Sequence, residues 1–357
     1  MWPSNALTEL LGIRYPIIQA PMAGSTTPAL AAAVSNAGGL GSLGLALTPP
    51  VKAGEQLIET RKATNGALNA NFFCHDDPTE DAGRDQAMRD TLQSYYDELE
   101  LGDVPAAALS SRTFGEEHLA MVLEVRPQVV TFHFGLPPAD MVAAVKDAGL
   151  ITGSSATNVA EARALEAAGM DFIIAQGFEA GGHRGTFLGP EETGHVGTMA
   201  LVPQVVDAVS VPVVVAGAIA DGRGIAAALA LGAAGVQPGT AFLLCPETTT
   251  GTPHRQALKS AAADETRLTR AFSGKPARGI ENRYMREMSA HADDFAPFPI
   301  PNTLTGPMRK GSAEAGSPDF MSLWAGQAFP LNREKPAAEI FEILVEETEK
   351  TLKRLAI

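Results

Sequence analysis

Val213-Val214-Val215-Ala216-Gly217-Ala218-Ile219-Ala220-Asp221-Gly222-Arg223-Gly224 is the stretch that decides the fold class. Its first four residues are apolar without alternation, as in a strand of a parallel sheet covered on both faces. Small residues follow, and then an Ala/Leu-rich helical segment. The short run 235–237 repeats the arrangement and opens into Pro238-Gly239-Thr240-Ala241. In a barrel, a phosphate is held after strands seven and eight, where backbone N–H groups and a helix N-terminus converge. These two consecutive loops therefore predict an anion site, with Thr240 adding a hydroxyl.

Towards the N-terminus the same rhythm recurs. Apolar runs lie at 172–175, 151–154, 129–134, 67–73, 40–43 and 16–18. Helical stretches at 28–36, 49–64 and 159–168 separate some of them, and two of these stop at glycine, at Gly38-Gly39 and at Gly169. Eight runs alternating with helix-length segments predict an α/β fold, a (β/α)8 TIM barrel, with an open doubly wound sheet as the alternative. Two segments break the rhythm. Residues 76–112 are long and charged; residues 245–329 are rich in Pro, Gly, Met and Arg. Long loops after the C-terminal ends of strands read as lids or inserted substrate-binding subdomains. The expected division is a barrel core over 1–244 with a lid insertion around 76–112, a smaller substrate-binding subdomain over 245–329, and a C-terminal region 330–357 whose amphipathic helix, 335–352, packs on the barrel.

Composition narrows the function. The 357 residues carry a formal net charge of −14, which argues against nucleic acid or an anionic membrane as partner. No apolar run reaches the ~20 residues of a membrane span, and residues 1–15 lack the pattern of a signal peptide. A cytoplasmic protein is expected, with a homodimer left open. The two cysteines, Cys74 and Cys245, read as buried thiols.

Four further constellations sit where strands should end. Gln176-Gly177-Phe178-Glu179-Ala180-Gly181-Gly182-His183-Arg184-Gly185 places a histidine among glycines, where its ring can face a cavity. With an ordinary pKa of about 6.5 it could serve as a base at neutral pH. Thr131-Phe132-His133-Phe134-Gly135 puts a second histidine at the same end. Asn71, in Asn69-Ala70-Asn71-Phe72-Phe73-Cys74-His75, offers donor and acceptor to the edge of a heteroaromatic ring. Cys74, His75, Asp76 and Asp77 are adjacent rather than spaced to converge, so no metal site is expected. Gln19-Ala20-Pro21-Met22-Ala23-Gly24 is small and apolar, suited to packing on a flat ring.

Taken together these motifs resemble the nitronate monooxygenase family, formerly called 2-nitropropane dioxygenases. The resemblance runs from Gln19-Ala20-Pro21-Met22 to Trp324-Ala325-Gly326-Gln327, and its most specific piece is Gly181-Gly182-His183-Arg184-Gly185. It implies non-covalent FMN at the C-terminal face of the barrel. Ala20, Pro21, Met22, Ala23 and Gly24 would line the ring, and Asn71 and Gln176 would hydrogen-bond its polar edge. Gly181 and Gly182 would approach it closely, while Gly217, Ala218, Gln237, Pro238, Gly239 and Thr240 would hold the phosphate side. His183 would be the catalytic base or the partner of the nitro group, and His133 a substrate contact. The implied reaction is oxidation of an alkyl nitronate with O2 to a carbonyl compound and nitrite.

One stretch departs from the family pattern. Relatives carry Tyr-Pro, a second Tyr four positions on and then a Lys. The matching positions here are Phe298, Asn302 and Gly306, which would meet the substrate without those polar groups; Arg309 and Lys310 are the nearby cations. The departure leaves room for an NAD(P)H-dependent flavin reductase acting on quinones or enoyl thioesters. A third reading is a barrel that binds flavin without turnover, or only a phosphate.

Overall fold

A computed structural model describes residues 2, 4–79, 81–106, 113–294 and 296–356. Part of the 76–112 stretch, namely 80 and 107–112, therefore lies outside the described residues. Seven strands form one parallel sheet: β1 (Gly41–Gly44), β2 (Leu68–Phe73), β3 (Val129–His133), β4 (Ile151–Ala156), β5 (Phe172–Gln176), β7 (Val213–Ala216) and β8 (Gly235–Val236). The missing number, β6 (Gly182–His183), belongs to a second sheet with β9 (Thr266–Thr269) and β10 (Ala277–Ile280), in the order β6-β10-β9.

The run at 16–18 is not a full strand, yet it closes the barrel. Ile17 bridges Val236 of β8 and Ile18 bridges Leu40 beside β1, both in parallel register. The Ile18 N–H donates to Val236 O at 2.9 Å and the Leu40 N–H to Ile17 O at 3.0 Å. Pro16 has no N–H and can only accept, from Val236. The run 213–216 coincides with β7, and the other predicted runs form strands whose ends differ by one or two residues. Continuous burial in β7 reflects covering on both faces, by the barrel interior and by helices.

Leu7 and Leu11 of the helix Ala6–Leu11 pack under the strand starts with Ile18, Leu40, Val129 and Phe172. The C-terminal helix, Ala337–Leu355, buries Ala337, Ile340, Phe341, Leu344, Val345 and Thr348, a stripe at helical spacing. It lies against the helices Pro28–Ala37 and Gly222–Ala230. A Cβ on Gly222 would come within 2.2 Å of Thr348 N, so this glycine serves helix packing.

Above the strand ends a separate core joins the two irregular segments. Met88, Leu92 and Tyr96 of the helix Ala82–Glu98 pack with Tyr284, Ile300, Leu304, Met308 and Phe320. The Tyr96 hydroxyl donates to Leu304 O at 2.6 Å. The hairpin β9–β10 reaches back to the barrel through β6, pairing Ala277 with His183. Among the described helices none is long and apolar enough to cross a membrane.

Candidate active site

A cavity of about 480 Å³ opens at the C-terminal ends of the barrel strands, within the size range of small-ligand sites. Of the residues singled out from the sequence as cofactor- or substrate-facing, all but Gly306 line it: Ala20, Pro21, Met22, Ala23, Gly24, Asn71, His133, Gln176, Gly181, Gly182, His183, Gly217, Ala218, Gln237, Pro238, Gly239, Thr240, Phe298 and Asn302. What they could do there follows from their partners.

One pole of the cavity is built from backbone. Gly217 and Ala218 have consecutive positive φ angles of 103° and 60°. For alanine this conformation is strained, by an amount on the order of 1–3 kcal/mol. The N–H groups of Gly217, Ala218, Ile219 and Ala220 have no intramolecular acceptor among the described residues. The following helix cannot offer its first free amides, because the Asp221 carboxylate already accepts from Arg223 N and Gly224 N. An anion here would therefore be held by the loop amides rather than the helix end. Gly239 faces Ala20, whose Cβ would lie 3.1 Å from an added Cβ. The Thr240 hydroxyl accepts from Gly326 N at 3.0 Å, which leaves its own proton to donate.

Polar groups for a ring edge come from within the barrel. A chain of side-chain hydrogen bonds links Asn69 to Thr131 and Thr131 to Asn71, whose Nδ2 donates to Thr131 Oγ1 at 3.0 Å. Asn71 therefore has its donor committed and its Oδ1 free to accept. Gln237 Oε1 is buried without a partner. The amide of Gln176 is engaged differently: Nε2 donates to His183 O at 2.9 Å and Oε1 accepts from Gly185 N at 2.8 Å. It braces the histidine loop and keeps one N–H for the cavity. Orphan amides, a glycine cradle and unpartnered acceptors fit a phosphorylated heteroaromatic cofactor.

The opposite pole holds the histidines. Arg184 is almost fully buried and donates to three carbonyls, Gly177 O at 2.6 Å, Gly194 O at 2.7 Å and Gln176 O at 2.9 Å. Gly181 passes so close to the Ala325–Gly326 backbone that a Cβ would sit 2.4 Å from Gly326 N. These contacts fix β6 and aim His183. Its Nε2 lies 2.7 Å from Ser273 Oγ, and His133 Nδ1 lies 2.6 Å from Ser155 Oγ. Phe73, Phe134, Phe298 and Trp324 surround the His183 ring at centroid distances of 5.7–6.2 Å.

This enclosure corrects the expectation of an ordinary imidazole. Burial, with His133, Lys275 and Arg309 nearby, pulls the His183 pKa down to about 3. Burial likewise takes His133 to about 4, opposed by the His183 backbone carbonyl. Both rings are neutral at pH 7. The thiols Cys74 and Cys245 are buried and unpaired, and burial raises both pKa values.

Several residues at this pole had no signal in the sequence. Ser273, Ser155 and His254 line the cavity beside Trp324 of the Trp324–Gln327 motif, and His254 Nε2 lies 3.2 Å from Trp324 O. Lys275 is half-buried beside Phe134 and Phe298, 5.1 and 6.0 Å from their centroids. Ser273 and Lys275, in an irregular stretch, read as loop polarity until β10 brings them to the barrel mouth. The two cations near the departure separate clearly. Arg309 lines the cavity, whereas Lys310 is exposed and pairs with Glu314 at 3.8 Å.

A closed parallel barrel with an anion cradle and a buried histidine pair at its strand ends defines a cofactor-dependent barrel enzyme. The chain belongs to the nitronate monooxygenase family, which it matches over residues 4–347, and so to a family of flavin-dependent oxidoreductases. A nitronate monooxygenase of Pseudomonas aeruginosa is 45% identical over 349 residues, covering 96% of this chain and 99% of the relative. A probable nitronate monooxygenase of Staphylococcus aureus strain Newman is 40% identical over 346 residues, covering 97% of each. The structure of a nitroalkane oxidase from Streptomyces ansochromogenes superposes with a TM-score of 0.91 at 39% identity, covering 98% of this chain and 100% of that one. FabK from Thermotoga maritima superposes at 0.76 with 29% identity, covering 98% and 97%.

Proposed function

We propose that this chain is an FMN-dependent nitronate monooxygenase, converting an alkyl nitronate and O2 to a carbonyl compound and nitrite. The observation that carries the reading is the pair of neutral histidines, His183 and His133, facing a cavity whose other pole is a cradle of free amides. Residues 217–220 with Gly239 and Thr240 would hold the FMN phosphate. Ala20, Pro21, Met22, Ala23 and Gly24 would flank the ring, with Gly181 and Gly182 close to it. Asn71 Oδ1 and one Gln176 N–H would meet its polar edge. When bound, FMN supplies the one-electron oxidation of the substrate.

The protein's own part is to bind, orient and dry the substrate. A nitronate is already an anion, so no proton need be removed, and a His183 with a pKa of about 3 is a weak base for a neutral nitroalkane. Neutral His183 instead hydrogen-bonds a nitronate oxygen while Ser273 holds its ring, and His133 makes a second contact. Aromatic walls exclude water and so strengthen these bonds. Nitronates are therefore the preferred substrates over their parent nitroalkanes. The test is O2 uptake and nitrite release by purified protein given ethylnitronate in air; absence of both rejects the reading. Rapid anaerobic bleaching of the flavin by NADH or NADPH would point instead to a reductase.

A further inference from the structure

We infer that Arg309 is the anion anchor of the substrate pole, and that this pole takes short aliphatic carboxylates as competing ligands. Among the described residues lining the cavity, Arg309 is the only lysine or arginine. It lies on the helix Gly306–Glu314, three residues after Gly306 and so on the same face. An added Cβ at Gly306 would be 3.8 Å from Arg309 Nη2, so the guanidinium lies beside bare backbone at this position.

The guanidinium is held on one side only. Nη2 donates to Asn302 O at 2.7 Å and to Asn302 Oδ1 at 2.9 Å, and Nε reaches Thr305 O at 3.4 Å. Nη1 has no intramolecular acceptor among the described residues. Asn302 and Thr305 thus orient the guanidinium and leave the two Nη1 N–H groups for a ligand. The other nearby cation is committed elsewhere, since Lys275 lies 3.9 Å from Glu191 and rests against Phe134 and Phe298. Arg309 and His183 line the same cavity.

Charge-assisted N–H groups of Nη1 suit an oxygen of a small planar anion. Nitronates and carboxylates are both such anions, and Phe298, Phe272 and Trp324 supply apolar wall for a short alkyl tail. The nitronate half rests on the function proposed above; the carboxylate half does not.

The probe is butanoate, unreactive and of matching shape, titrated anaerobically into the flavin-loaded enzyme while the visible flavin spectrum is followed. Saturable binding is expected, weakened at least tenfold in Arg309→Gln and less in Arg309→Lys. Lys310→Gln should bind as the parent does. The KM for ethylnitronate should rise in parallel in Arg309→Gln, and flavin content and melting temperature confirm that the variant is folded. Equal butanoate affinity in Arg309→Gln and parent, or no butanoate binding by the parent, overturns the inference. Arg309-dependent butanoate binding without turnover of ethylnitronate would uphold the anchor and reject the nitronate function.

Discussion

His183 Nε2 and Ser273 Oγ lie 2.7 Å apart, joining the end of the barrel strand region to the β9–β10 hairpin across ninety residues of chain. The bond fixes the ring of the residue proposed to meet the nitronate. His183→Asn should lower kcat/KM for ethylnitronate by about 10²-fold, the lower end of what a positioned catalytic group contributes, with flavin retained. Ser273→Ala should cost about tenfold, the worth of one hydrogen bond of roughly 1.4 kcal/mol. Oxygen-electrode kinetics on both variants check this. Parent-like turnover in His183→Asn would remove the residue from the mechanism.

Stability should fall on acidification below neutrality. His183, His133 and His254 are held neutral by burial, with pKa values of about 3, 4 and 4. The unfolded chain protonates these rings at about 6.5. Between those limits the unfolded state binds more protons, so the stabilisation is complete above pH 6.5 and is lost as pH drops towards the folded values. Each ring contributes about 1.4 kcal/mol per pH unit in that window. Denaturant melts at pH 7 and 5 should show the loss, and replacing His133 and His183 together by Asn should remove about two-thirds of the slope from this trio.

The barrel was legible because its strands are continuous apolar runs and its cradle loops are consecutive and glycine-rich. The backbone-facing site residues followed from them, since a position at a strand's C-terminal end already locates a side chain. The run at 16–18 was legible as sheet but not as a pair of bridges, because Pro16 weakens pairing without preventing it. What stayed hidden depends on contacts between distant segments. Ser273 and Lys275 reach the barrel only because β10 pairs with β6, a pairing that no local pattern encodes. The low pKa of His183 depends on enclosure by Phe298 and Trp324 from another part of the chain. Arg309 and Lys310 are neighbours in sequence, and only the helix phase assigns one to the cavity and the other to solvent.

Arg184 should matter for stability more than for chemistry. Its guanidinium satisfies the carbonyls of Gln176, Gly177 and Gly194 in a buried setting. Arg184→Met keeps the volume but strands the carbonyls of Gln176 and Gly194, each costing about 1–3 kcal/mol when buried unsatisfied, while Gly177 O keeps the Ala180 N–H. A loss of at least about 2 kcal/mol in urea unfolding is expected, together with weakened flavin retention, because the same loop carries Gly181 and Gly182. A loss under about 1 kcal/mol would mean that the loop holds its shape without this staple.

Gly217→Ala isolates the cradle from the rest of the site. The position has φ near 103°, and a Cβ there would lie 3.1 Å from Ala180 N and 3.2 Å from Ala180 Cβ. Alanine would have to shift a loop whose neighbour, Ala218, is already strained at φ 60°. The expected cost is on the order of 1–3 kcal/mol, taken from the loop conformation that leaves the amides of 217–220 without an intramolecular acceptor among the described residues. Flavin affinity, read from the flavin-to-protein ratio after dialysis and from fluorescence titration of the apoprotein, should drop about tenfold or more. The KM for ethylnitronate in protein saturated with FMN should change little, since the histidine pole lies at the other end of the cavity. A variant that keeps parent affinity for FMN would place the phosphate elsewhere, whereas one that binds FMN normally but loses nitronate affinity would show that the two poles are not separate.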